Sequence, residues 1–453
     1  MKRVAVTSVC IYLIFVFVED VIIGKTTDLM KNKKHKKVYF KKPCENQAGK
    51  VIVPKLRVFE AFAGIGAQHS ALKRLGINFE ISGISDWFVD AIECYAAIHH
   101  EKDKVDVPED KKEILDYLKK MTFSNDSVRP CNLERLSEDE LRNLYRANKK
   151  CNNIGSILDI QPEDIPETDL LVYSFPCQDL STGGHGKGMK KGSGTRSGLL
   201  WEVERLLKGL KKLDRLPEYL LLENVRTIKA DSNIEDLNQW LSFLESLGYQ
   251  NDDCMFLNAL DFGVPQDRER AFIVSHLGSK LNIPEKIKSK KRPHKYRFEK
   301  FFRNNYENPV LRKEADDAQL NNTPSRETMW RINGQELNEN TIVKTITCNM
   351  DRTHCAALFP YNGEKGNSYR RPTIREAFLL MGFTEEEYVR TLDLKFSYRK
   401  MNKLIGNSIV VNVLVAIFDL MFGDKYRICK RNGRRGYKKR NKKRRRSSRC
   451  RGK

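Results

Sequence analysis

Several ordinary patterns are missing from this chain, and each absence excludes something. The 11 cysteines never form a Cys-x-x-Cys pair, and the 8 histidines do not gather at metal-ligand spacing, which argues against a metal site of the zinc-module kind. In 453 residues, thiols scattered this way also argue against a disulfide framework, so a reducing, cytoplasmic setting is expected. Long apolar runs are scarce too. Residues 4–18, after Lys2 and Arg3, are apolar but too short for a comfortable membrane span. The run has the make-up of a secretory signal, yet Glu19 and Asp20 follow it and no small-x-small cleavage site is evident. It is read as a misassigned start or a loosely attached leader, followed by a Lys-rich linker over 25–50, and no stable membrane association is expected.

Acidic residues are absent from 425–453, which hold 17 Lys or Arg. Taking those 17 from the formal net charge of +23 leaves +6 on residues 1–424. The body has the charge balance of an ordinary globular protein, with 40% apolar residues for a core. The basicity belongs to the tail, read as low-complexity and disordered, and as a non-specific DNA anchor or an import-like patch.

What is present centres on Leu171 to Ser181. An apolar run ends at Phe175-Pro176 and Cys177 follows at once, which predicts a cysteine where a buried strand meets a loop. The loop to Ser197 is rich in Gly and Lys. On these residues alone, Cys177 is either a nucleophile under a mobile basic lid or a small core residue before an exposed loop. Upstream, the strand in Leu56–Ala67 closes in Ala63-Gly64-Ile65-Gly66, and a helix opens after it. Such glycines let a backbone approach a cofactor, but the third glycine of the dinucleotide fingerprint is lacking. A second strand, Glu80–Ser85, ends at Asp86-Trp87. An acid about 20 residues past the glycines commonly accepts from ribose hydroxyls, and a tryptophan beside it can stack on adenine. The plainer alternative is a strand-end acid with a half-buried Trp.

Residues 90–150 contain two charged amphipathic segments, 110–121 and 137–150, read as a helical insertion. A third strand is expected at Ile157-Leu158-Asp159-Ile160, then the strand before Cys177, then Tyr219–Leu222 ending at Glu223-Asn224-Val225. Strands alternating with helices predict an α/β fold with a doubly wound, mostly parallel sheet. Ligands bind such sheets at the carboxyl ends of the strands, where Gly64, Asp86, Asp159 and Cys177 all fall. Glu223 reads as an acid/base or hydrogen-bonding group, or as an ordinary strand terminator. Arg268 and Arg270 are expected to point the same way on an extended segment, or to pair at the surface with Asp267 and Glu269. Over 279–341, Lys, Arg and Asn interleave with aromatics, the composition of a nucleic-acid surface or of solvated loops. Short strands are expected in 342–359, a helix over 373–382, and a final helix capped by Asn407 or Ser408.

Taken in order, these motifs resemble those of the DNA (cytosine-5)-methyltransferases. The colinear set is Phe62-Ala63-Gly64-Ile65-Gly66, Asp86-Trp87, Pro176-Cys177-Gln178, Glu223-Asn224-Val225, Gln266-Asp267-Arg268-Glu269-Arg270 and Gly406-Asn407-Ser408, within residues 56–424. Ser174–Arg205 looks most like single-chain bacterial enzymes that modify short palindromes, including the mollicute CpG type. The resemblance implies that Cys177 attacks carbon 6 of a flipped-out cytosine, that Glu223 engages N3, and that Arg268 and Arg270 steady the base. It implies S-adenosyl-L-methionine as cofactor, held by Phe62, Gly64, Gly66, Asp86, Trp87, Asp159, Ile160, Pro176, Leu199, Asn407 and Ser408. Asp86 would meet the ribose hydroxyls, Trp87 the adenine face, and Asp159 and Ile160 the adenine edge. Ser181 would contact a DNA phosphate. The implied partner is double-stranded DNA, bound by a monomer, with or without a cognate restriction endonuclease.

The domain plan that follows places an apolar leader and basic linker at 1–51 and an AdoMet-binding catalytic part at 52–278. A smaller target-recognition domain at 279–371, a catalytic return segment at 372–424 and the tail at 425–453 complete it. Two departures are mild: Ala67 stands where many relatives have Gly, and Glu60 where many have Asp. Two rival readings were weighed. One is tRNA methylation, as in one branch of the family; the length of 279–371 and the DNA-type loop argue against it. The other is a non-catalytic nucleic-acid-binding scaffold, against which stand the intact Cys177, Glu223, Arg268 and Arg270.

Overall fold

The structure, a computed structural model, describes residues 53–180, 187–292, 296–321, 323–352, 354–363, 368–423 and 425–428. Ser181, the leader and linker over 1–51, and 429–453 lie outside the described residues.

A seven-stranded sheet is built from β1 (Leu56–Ala61), β2 (Phe79–Ser85), β3 (Leu170–Tyr173), β4 (Tyr219–Val225), β5 (Tyr249–Asn251), β6 (Met255–Asn258) and β8 (Glu269–Leu277). Its order is β2-β1-β3-β4-β8-β5, and β6 also pairs with β8. The pairs β1/β2, β1/β3 and β3/β4 are parallel, whereas β8 runs antiparallel to β4, β5 and β6. β3 is apolar and buried throughout because both of its faces are covered. Successive side chains alternate between the faces. In β3, Leu170 and Val172 join one core, while Leu171 and Tyr173 join the other.

The first of these cores is covered by α1 (Ala67–Leu75) and the C-terminal helix, the second by two later helices. Glycine frames α1: Gly66 and Gly76 flank it with left-handed φ of 73° and 67°. Beyond β2 come α2 (Val89–His99), α3 (Lys111–Leu118) and α4 (Glu138–Lys150), which enclose a core of their own around Ile92, Leu118 and Leu144. The Ser137–Glu140 capping box starts α4. The insertion expected over 90–150 is therefore a helical subassembly. On the second face lie α5 (Leu200–Lys212) and α6 (Ile234–Leu247), whose Leu206, Leu210, Trp240 and Leu244 fill the core.

After β8 the chain makes α7 (Pro309–Ala318), α8 (Pro324–Asn333), α9 (Ile374–Leu380), α10 (Glu385–Val389), α11 (Tyr398–Asn407) and α12 (Val411–Phe422). Its strands are short: β7 (Gln266–Asp267) pairs with β9 (Val343–Lys344), and β10 (Phe359–Pro360) with β11 (Tyr369–Arg370). Among the described residues, the apolar side chains of 279–371 join the core of the first sheet face. Val343, Leu358 and Phe359 share one apolar cluster with Val58 of β1 and Phe378 of α9. A buried ion network reinforces the junction. Arg370 and Glu376, neither exposed, form a bidentate pair at 2.8 and 2.9 Å. Arg375 of α9 pairs with Glu314 of α7 at 2.6 Å.

Three expectations need correction. Ile157–Ile160 is a turn, not a strand: Gly155 has φ 92°, and the Asp159 amide donates to the Ser156 carbonyl at 2.9 Å, which closes the chain on itself. Asn407 does not cap the last helix. It is the final residue of α11, Ser408 follows as its C-cap, and Val410 precedes α12. The tail does not begin at 425. Lys425–Ile428 are docked, with Tyr426 buried, its carbonyl accepting from the Asn78 amide at 2.6 Å, and the Ile428 amide donating to Gly76 at 2.9 Å.

Candidate active site

β1, β2, β3 and β4 all end at one cavity of about 390 Å³. The chain runs from β1 to β2 on one side and returns to β3 on the other, so the cavity sits where strand order reverses, the usual ligand position in such sheets.

Past β1, Phe62 takes a left-handed φ of 58°, an uncommon state for a bulky residue. Its amide donates to the Ser85 carbonyl at 2.8 Å, which ties the first turn to β2. Gly64, at φ 57°, follows, and a Cβ added there would meet nothing within 4 Å. Gly66 differs: a Cβ there would lie 2.3 Å from the His99 Nε2. Past β2, the Asp86 carboxylate accepts from the Gly64 and Phe88 amides, both at 2.9 Å. Each oxygen keeps acceptor capacity. Desolvation outweighs those bonds and pushes Asp86 up to about 6. Trp87 lies half-buried beside it in the wall.

Cys177 follows β3 as expected. The Pro176 carbonyl accepts from the Ser197 hydroxyl at 2.7 Å, and the Phe175 carbonyl from the Asn224 side chain at 3.0 Å. The start of the loop is thus fixed from both ends. Asp179 reinforces this by accepting from the Arg196 amide at 2.8 Å. Glu223 lies within β4, not beyond it, and Arg270 on β8 sits diagonally across from it: its Nε is 3.7 Å from the Glu223 Oε1. Burial raises the Glu223 pKa, with Arg270, Arg268 and Ser174 pulling the other way. Burial also raises Cys177, opposed chiefly by Arg270.

Arg268 does not point at the cavity with its full fork. Its Nη1 donates to the Ile346 carbonyl at 2.9 Å, and its Nη2 to the Gly406 and Ser408 carbonyls at 3.1 and 2.7 Å. It fastens the 346 segment and the α11 terminus to the sheet while forming part of the wall.

Of the other residues singled out in the sequence, Phe62, Gly64, Asp86, Trp87, Pro176, Cys177, Leu199, Glu223, Arg270 and Asn407 line the cavity. Four do not. Gly66 shapes the turn below; Ser408 offers its carbonyl to Arg268; Ile160 is buried in the core of the second face. Asp159 faces outward and accepts from the Thr122 amide at 3.0 Å. The wall expected from Asp159 and Ile160 is instead made by Ser156, Ile157 and Leu158. Reading 157–160 as a strand misplaced it by three residues. Ser127 and Val128, also in the wall, carried no motif.

A doubly wound sheet with a cysteine, a carboxyl and an arginine converging at its strand ends defines a methyltransferase-type α/β fold. Two solved structures share it: an Entamoeba histolytica methyltransferase, EhMeth (TM-score 0.51, 17% identity, covering 82% of this chain and 99% of that one), and S. pombe Dnmt2 methyltransferase (0.50, 18%, 82% and 98%). Residues 130–423 match the family model for C-5 cytosine-specific DNA methylase. The chain is 40% identical over 390 residues to orphan methyltransferase M.SssI of Spiroplasma monobiae, covering 82% of this chain and 98% of that one. It is 33% identical over 378 residues to type II methyltransferase M2.ScrFI of Lactococcus lactis subsp. cremoris, covering 81% and 99%. The chain belongs to the C-5 cytosine-specific DNA methylase family and is a DNA (cytosine-5) methyltransferase.

Proposed function

We propose that the enzyme acts on a cytosine swung out of duplex DNA, through a covalent bond from the Cys177 sulfur to carbon 6, with S-adenosylmethionine as donor. The observation that carries this reading is the convergence of Cys177, Glu223 and Arg270 with Gly64, Asp86 and Trp87 in one cavity. The residues fit the cofactor: Gly64 leaves open space where any side chain would intrude, and Asp86 keeps acceptor capacity beside Trp87. Asp86 would hold the ribose and Trp87 the base, with Phe62, Pro176, Leu199 and Asn407 around them. The bound cofactor supplies an electrophilic methyl group.

Carbon 5 of cytosine is a weak nucleophile until the ring is activated. The Cys177 thiolate adds to carbon 6, and Glu223, whose pKa burial raises, donates a proton to N3, so electron density moves onto carbon 5. Arg270 favours the thiolate and steadies Glu223. Once the methyl group is in place, the carbon-5 proton passes to solvent, β-elimination expels the thiolate, and N3 returns its proton to Glu223. Arg268 keeps the wall in register. Extruding the base costs a few kcal/mol of stacking.

Residues 52–278 and 372–424 would form the catalytic part, and 279–371 the part that reads the target. A groove lined by Ser325, Arg326, Asn349, Arg352 and Arg399 supports this, because arginines there suit guanine edges and phosphates. The relatives include an orphan enzyme and a type II enzyme, and a single-chain, monomeric modification enzyme of either setting, acting on cytoplasmic DNA, is the reading adopted. Purified protein is expected to place labelled methyl groups on duplex DNA and not on tRNA, and Cys177→Ser to place none. Equal labelling by the two proteins removes the assigned nucleophile.

A further inference from the structure

Between α3 and α4 the chain makes a closed turn, Phe123–Cys131, whose ends meet: the Cys131 amide donates to the Phe123 carbonyl at 2.8 Å. Asp126 organises it from within. Its Oδ1 accepts from the Val128 amide at 2.7 Å, the Arg129 amide at 2.8 Å and the Ser124 hydroxyl at 3.1 Å. Ser127, next to it, is held at a left-handed φ of 60°. The turn is stitched to the segment after β2: the Ser124 amide donates to the Trp87 carbonyl at 2.7 Å, and the Val89 amide to the Ser124 carbonyl at 3.0 Å. Lys403 of α11 fastens it from the other side, donating to the Asp126 carbonyl at 2.5 Å while lying 4.5 Å from the centre of the Phe88 ring.

All this holds an apolar side chain outward. Val128 is 56% exposed, yet it lines the cavity together with Trp87 and Phe88. Among the described residues it is one of eight exposed large hydrophobics, and Leu158, at 58%, is the only other of them in this wall. The loops carrying the two are joined where Asp159 accepts from Thr122. Backbone strain and an exposed apolar residue both cost stability.

We propose that the 123–131 turn is a built outer wall of the cofactor pocket, in which Val128 packs on the nucleoside part of S-adenosylmethionine and sets its affinity. This rests on the cofactor reading above. The occupant follows from continuity: the turn is bonded to Trp87 itself and shares a wall with Asp86. An apolar tip suits a flat purine and gives nothing to a phosphate.

The test uses the full chain with Val128→Ala, Val128→Asp and Lys403→Met. Binding of S-adenosylhomocysteine is measured by calorimetry, alongside KM for S-adenosylmethionine and for DNA. Val128→Ala is expected to weaken S-adenosylhomocysteine binding about 10-fold, on the scale of one apolar side chain's burial. Val128→Asp should weaken it more, and Lys403→Met less, with kcat and the DNA KM unchanged. Val128 is exposed, so unchanged thermal melting is expected of its variants. Unchanged cofactor affinity in both Val128 variants overturns the proposal, as does a loss confined to the DNA KM, which would assign the turn to DNA. A wild-type chain that binds neither form of the cofactor overturns the underlying reading instead.

Discussion

Arg270 on β8 and Glu223 on β4 sit diagonally across the strand pair with 3.7 Å between Nε and Oε1, and both line the cavity that holds Cys177. One cation thus acts on two groups whose pKa values burial has raised. The proposed mechanism needs Cys177 deprotonated and Glu223 protonated, so on that reading kcat/KM should trace a bell against pH. Removing Arg270 takes away the positive charge that lowers both groups, so in Arg270→Ala both limbs should move to higher pH and activity at neutral pH should fall. Glu223→Gln should lower kcat by about 10²–10⁴-fold, the usual size of a lost acid–base contribution. A profile in Arg270→Ala with unmoved limbs would separate it from the thiol.

Arg268 is expected to behave as a structural tie. Its fork reaches three backbone carbonyls, at Ile346, Gly406 and Ser408, from segments far apart in sequence. A lysine keeps the charge but not the planar fork. Arg268→Lys should cost about 2–4 kcal/mol in denaturant unfolding, because buried carbonyls lose their donors. Melting equal to wild type would show the tie to be dispensable.

The two glycines of the first turn should part company. A Cβ at Gly64 meets only open cavity, whereas one at Gly66 collides with His99 and Tyr95. Both have positive φ, which costs an alanine roughly 1–2 kcal/mol. Gly64→Ala should therefore stay folded and lose cofactor affinity, while Gly66→Ala should lose about 2–4 kcal/mol of stability. Calorimetry and thermal melting on the same two proteins distinguish the outcomes.

Glu60 is completely buried in β1, and neither carboxyl oxygen completes a hydrogen bond. Tyr95 and the His69 backbone lean toward the ionised form, but burial wins and raises the pKa from 4.5 to about 8. A folded-state pKa above the unfolded value means that stability is full below about 4.5 and is lost as pH rises toward 8. Glu60→Gln should flatten that decline and be the more stable protein at pH 9, by an amount on the order of a few kcal/mol. Parallel pH dependences for the two proteins would show that Glu60 does not titrate in the fold.

Because Tyr426 and Ile428 are docked, a tail deletion should begin at 429. Removing 429–453 takes away 15 of the 17 basic residues of 425–453. DNA affinity should fall and its salt dependence flatten, with the recognised sequence unchanged. An unchanged salt slope removes the anchor role.

The strand ends were legible because apolar runs stop abruptly at Gly64, Asp86 and Cys177, and a doubly wound sheet turns such stops into one site. Residues 157–160 misled because two apolar residues before an acid imitate a short strand; the decisive signal was Gly155, which permits the turn. The partners of Arg268 were not legible, since carbonyls 78 to 140 residues away leave no local pattern. Ser127 and Val128 had only the turn chemistry of Asn125-Asp126-Ser127 to announce them.

The fused core and the Arg370–Glu376 pair have a mechanical corollary. If 279–371 reads the target as proposed, the shared core would hold the distance from the arginine groove to the thiol as a fixed gauge, and adjustment during an encounter would fall to the double helix. On that proposed reading, a cytosine at the wrong offset from the recognised bases would be passed over even where the duplex opens readily.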